Sequence, residues 1–140
     1  MNDVKNLMIN EYKIKQLGYD FMGFDFKKDE DLSFHHLIIP RRDCQKLLIP
    51  NHGVELWNGA ILVQKTSHEF LHKIELYDRT TFERITKLMI QMNRQGYLEE
   101  EKIIQIHRLL DKFSSEFSKQ ETSRGKNLIK TRYKETRHVF

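Results

Sequence analysis

The spacing of apolar positions changes along the chain, and each change marks an element. Residues 3–16 carry Val4, Leu7, Met8, Tyr12 and Ile14 at loosely helical intervals before Gly18, which predicts a short first helix. Tyr19, Phe21, Phe24 and Phe26 then suit a strand that bends at Gly23, and the polar run 28–31 reads as a turn. Residues 32–39 form a second strand candidate closed by Pro40, which cannot donate to a ladder. A loop from Pro40 to about Gly53 follows, and the apolar residues 60–63 make a short buried strand, with Trp57 as a core anchor beside it.

The second half has a helical period. Thr66 or Ser67 can cap a helix in which His68, Leu71, His72 and Glu75 recur three and four residues apart. Thr80 and Glu83 have capping-box spacing, and Phe82, Ile85, Leu88, Met89 and Met92 then form an apolar stripe that stops near Gly96. A last helix opens on Glu99, Glu100 and Glu101, which complement the positive end of its dipole. Its apolar face is Ile103, Ile106, Leu109, Leu110, Phe113 and Phe117, and His107 is placed on the polar side. There is no internal repeat. The pattern predicts a mainly helical α+β domain containing a β-hairpin over 32–63 and a helix over 67–77 packed across it.

Length and composition narrow the class. A chain of 140 residues suits one compact domain, assigned to residues 1–118, with a tail at 119–140. With 39% hydrophobic and 31% charged residues, and no apolar run near the roughly 18 to 20 residues of a membrane span, a membrane role is not expected. Residues 1–15 mix charges with apolar positions, unlike a signal or transit peptide, so a cytoplasmic location is expected. Cys44 is the single cysteine, so any metal must be held by His, Asp or Glu.

The charge is uneven. Seven bases against two acids give residues 119–140 a charge of +5, so the remainder carries −1 of the net +4. A basic tail beside a near-neutral body is a common footprint for nucleic acid, and Lys126, Lys130 and Arg132 are its candidate phosphate contacts. A solvated terminus is the plainer reading.

The candidate chemistry lies between Phe34 and Glu75. His68 and His72, four residues apart on a helix, project from one face and can chelate a single ion. Adjacent His35 and His36 point to opposite faces of a strand, and both can serve one centre only where the strand ends or twists. His52, His107 and His138 are read as having no catalytic role; Glu69, Glu75 and Asp78 could supply an extra carboxylate, but more simply serve as exposed helix charges and i,i+4 partners.

In order, FHHLIIP, WNGAILV and SHEFLH supply paired histidines, an asparagine and an HxxxH pair, with Asn58 ten positions before His68. Over residues 34–75 this resembles the His-Asn-His (ββα-metal, HNH) endonuclease superfamily, and most nearly the histidine-rich metal sites of its colicin-type DNases. The resemblance implies a ββα-metal unit with His35, His68 and His72 as metal ligands, His36 as general base, and Asn58 bracing the hairpin that orients His36. It implies hydrolysis of DNA phosphodiesters with one divalent ion, magnesium, manganese, nickel or zinc. Arg41, Arg42, Lys65 and Lys73 surround this region and are candidate nucleic-acid contacts. This chain departs from many members in lacking cysteine pairs for a structural zinc and in placing histidine where aspartate is the usual first ligand. The competing reading is a noncatalytic protein on the same scaffold, either a nucleic-acid binder or a phage or mobile-element inhibitor of a host nuclease. A third is a nicking subunit that needs a protein partner or a larger nuclease complex.

Overall fold

The computed structural model describes residues 2–38, 58–121 and 137–140. Helix α1 spans Asn2–Glu11 and α2 spans Ile14–Leu17. After a 3-10 turn at Asp29–Asp31 come β1 (Leu32–His36) and β2 (Gly59–Val63), and then α3 (Ser67–Tyr77), α4 (Arg79–Gln95) and α5 (Glu100–Glu121). The protein is mixed α+β and mostly helical. Strands β1 and β2 pair antiparallel, from Leu32 opposite Val63 to His36 opposite Gly59. Every residue of β2 is buried. Helices α1, α3 and α4 all pack against that strand, so the core gathers around it. No helix among the described residues is long and apolar enough to cross a membrane.

Helix α3 occupies the residues that the spacing predicted, and in the hairpin the first strand is shorter than expected while the second begins one residue earlier, at Gly59. Three local readings change here, the first and third because a tertiary contact outweighs a local preference. The first helix breaks at Lys13, which is left-handed at φ 56°. The break lets Tyr12 and Ile14 both enter the core, where the Tyr12 hydroxyl donates to the carbonyl of Asn93 at 2.7 Å. Helix α4 is capped by Asp78, whose carboxylate accepts from the Thr81 amide at 3.2 Å, and not by the Thr80–Glu83 box. His107 is buried, not on a polar face, because its Nε2 lies 3.0 Å from the carbonyl of Met22 and 3.2 Å from that of Gly23.

The expected strand at 19–26 is instead a tight loop organised by Asp20. The carboxylate of this buried residue accepts from the amides of Met22 at 2.8 Å and Phe24 at 3.0 Å, which curls the chain. Its second oxygen accepts from the Val63 amide at 2.7 Å and from the Ser67 hydroxyl. One side chain thereby ties the loop, the end of β2 and the start of α3 together. Gly23 completes the turn at φ +78°, where a Cβ would also run into the His107 ring.

The end of the basic tail packs on this loop. Arg137 pairs with Asp111 on α5 at 2.8 Å, His138 Nδ1 lies 2.7 Å from Asp25, and the Phe140 ring meets Tyr19 edge-on. Of the proposed tail contacts, Lys126, Lys130 and Arg132 lie outside the described residues, as do Arg41, Arg42, His52 and Trp57.

Candidate metal centre

Strand alternation places Ser33 and His35 on one face of β1, and Phe34 and His36 on the other. The Ser33 and His35 face meets α3, where His68 and His72 stand one turn apart with their rings stacked 4.7 Å between centroids. His35 Nδ1 comes within 3.3 Å of His68 Nε2, and one nitrogen from each of the three rings lies within 4.8 Å of the others. Burial is graded from His35, which is buried, through His68 to His72, which is exposed. The centre is therefore anchored in the core and open to solvent on the α3 side. It lies in a cleft of about 670 Å³ that also takes in Lys5, Glu75, Arg79 and Phe82.

The donor set fits a divalent ion. Ser33 Oγ stands 3.3 Å from the Leu62 carbonyl and 2.8 Å from His68 Nδ1, and when it donates to that carbonyl it accepts from His68 Nδ1. With the proton on Nδ1, the lone pair of His68 Nε2 faces His35. Two nitrogens bound at roughly 2.0 to 2.1 Å on a tetrahedral ion stand about 3.3 Å apart. The His35–His68 pair has that spacing already, while His72 must close by a small side-chain movement from its exposed position. Burial, reinforced by the neighbouring imidazoles, pulls His35 down to about 3 and His68 to about 4. Both rings are unprotonated at neutral pH, the state a ligand requires. Imidazole is a borderline donor that zinc and nickel take more readily than magnesium does.

Two further groups approach the clustered histidines. Ser33 Oγ is within hydrogen-bond distance of His68 Nδ1 and fixes the rotation of that ring, and Glu75 Oε1 lies 3.6 Å from His72 Nδ1. Sequence reading passed over Ser33 entirely, although its position two residues before His35 put it on the same strand face. Glu75, read as an exposed helix charge, stands one turn after His72 and also pairs with Arg79 at 3.5 Å. Replacing Ser33 with alanine should weaken zinc binding about 10- to 100-fold, the usual cost of losing a group that orients a metal-binding histidine. Competition with a chromophoric chelator reads this directly, and an unchanged affinity would show that Ser33 does not hold His68 in place.

Asn58 and His36 complete the cleft. Asn58 is fully buried, its Oδ1 accepts from the Ile38 amide at 3.0 Å, and its carbonyl accepts from the Leu37 amide at 2.7 Å. It thus grips the backbone just after His36 from the opposite strand. The His36 ring stands edge-to-face on Phe34 at 4.8 Å and lines the same cleft as the three clustered histidines. Phe34 in turn lies over Gly59, where any Cβ would strike its ring. Of the proposed cationic contacts, Lys65 and Lys73 do not line the cleft, and Lys73 sits 5.3 Å over the Phe117 ring. Among the described residues, Lys5 and Arg79 are the cations the fold brings there, one from α1 and one from α4. No protein-family model, curated protein or solved structure matches the chain.

Proposed function

We propose that the protein is a metal-dependent endonuclease of the ββα-metal (His-Asn-His) type that hydrolyses DNA phosphodiesters. The observation that carries this reading is the convergence of His35, His68 and His72 in a cleft that His36 also lines, with Asn58 gripping the adjoining backbone. A phosphodiester resists hydrolysis because its negative charge repels the attacking oxygen and its alkoxide leaves poorly. A divalent ion held by His35, His68 and His72 supplies Lewis-acid polarisation of the phosphoryl oxygen and charge stabilisation at the 3′ leaving oxygen. His36 accepts the proton of the attacking water. Its packing on Phe34 and the hold of Asn58 on residues 37 and 38 keep the imidazole turned into the cleft. Lys5 lines the cleft and can bind a flanking phosphate, and Arg79 can do so on exchanging its pairs with Glu75 and Glu83.

The test is incubation of metal-free protein with supercoiled plasmid in the presence of magnesium, manganese, nickel or zinc. Nicked and linear products should appear only where an ion is added, and the His68→Ala variant should give none. Absence of products with all four ions, while the plasmid is still bound, would replace the enzyme with a noncatalytic nucleic-acid binder.

A further inference from the structure

The long helices α4 and α5 lie side by side, and a groove of about 580 Å³ runs between them. It shares no residue with the histidine cleft. One wall carries Arg84 and Lys87 and the other Arg108 and Lys112, with the partly buried Leu88 and Leu109 between the rows. Among the described residues, no carboxylate lines it. All four cations are exposed, and none makes a salt bridge or side-chain hydrogen bond among the described residues. Cations nearby behave differently: Arg79 is held by Glu75 and Glu83, Lys102 by Glu99, and Arg137 by Asp111.

We propose that the α4–α5 groove is a sequence-independent binding surface for the phosphate backbone of nucleic acid. Four like charges facing one another across an open channel repel unless an anion lies between them, and they are solvated until it arrives. Within each wall the cations are three or four residues apart, which sets their Cβ atoms about 5 to 6 Å apart. The two rows can therefore engage successive phosphates of one strand. An acidic protein would need a substantial apolar core in its interface, whereas this groove offers only two partly covered leucines between flexible cationic stems. The surface acts by charge, positions the polymer and reads no bases. It needs neither a metal nor cleavage, so it stands apart from the histidine cleft.

Fluorescence anisotropy of a labelled DNA duplex, recorded in EDTA over a salt series, tests it. A variant with Arg84, Lys87, Arg108 and Lys112 all changed to Gln should bind at least about tenfold more weakly, and its log K against log salt slope should fall in magnitude by about 3 to 4. A control variant with Lys13, Lys27, Lys28 and Arg94 changed to Gln loses the same charge elsewhere and should keep most of the slope. Arg84→Lys with Arg108→Lys should bind like the native protein, because a phosphate contact needs the charge and not the guanidinium plane. All these positions are exposed and Gln is a good helix former, so thermal melting should be little changed. Equal slopes for the groove variant and the control would overturn the proposal. So would displacement of the duplex by polyglutamate at equal charge concentration, which would assign the groove to an acidic protein segment.

Discussion

Replacing His36 with alanine should lower plasmid cleavage by roughly a hundredfold to ten-thousandfold, the range that general-base catalysis commonly contributes. The same variant should bind zinc with native affinity, because the His36 ring stands on Phe34 and is not one of the three clustered rings. His35→Ala, His68→Ala and His72→Ala should show the converse pattern and lose both affinity and cleavage. Calorimetry beside plasmid assays separates the two. His36→Ala with cleavage within a few-fold of native would remove it as the base, and undiminished metal affinity in all three other variants would remove the centre itself. Gly59→Ala offers a geometric check on His36. A methyl group there displaces Phe34, on which the imidazole stands.

The largest effect on stability should come from Asp20→Ala, with a loss of about 3 kcal/mol or more at neutral pH, seen as a melting point lower by roughly 10 °C. The carboxylate is fully buried and accepts from the amides of Met22, Phe24 and Val63 and from the Ser67 hydroxyl. Truncation leaves all four donors without that acceptor in the core. Burial raises the Asp20 pKa to about 6, with the four donors opposing the rise, so the group is an anion at pH 7. Because this value lies above the ordinary 3.8, the stability linked to Asp20 is complete below that pH and declines as pH rises through 6. The difference in stability between the native protein and Asp20→Asn should therefore narrow over that interval. A melting point within a degree or two of native for Asp20→Ala would show that the loop, β2 and α3 are held by apolar packing alone.

Local periodicity carried much of this structure into view. A pair at i and i+4 on a helix shares a face wherever that helix packs, so His68 and His72 were legible as partners from spacing. The α3 limits followed from the same period, and the apolar run in β2 from its lack of polar interruptions. Where every residue of a segment is buried, alternation carries no information. Residues 19–26 read as a strand because their aromatics have strand propensity, yet Phe21, Met22 and Phe24 all enter the core from a loop. The burial of His107 was hidden in the same way, since its partners are carbonyls more than eighty residues earlier in the chain.

The sequence by itself determined that His35 and His36 sit on opposite faces of a strand and that two histidines share one helix face, because side-chain direction is set by the backbone period of each element. Only the tertiary structure decided that the His35 face meets α3, with Ser33 brought to His68 and His36 left on Phe34. That choice is not local. It depends on the pairing of His36 with Gly59, on the grip of Asn58 beyond the strand end, and on Asp20 joining β2 to α3. Each of these contacts links residues distant in the chain, and their energy exists only once the core around β2 has closed.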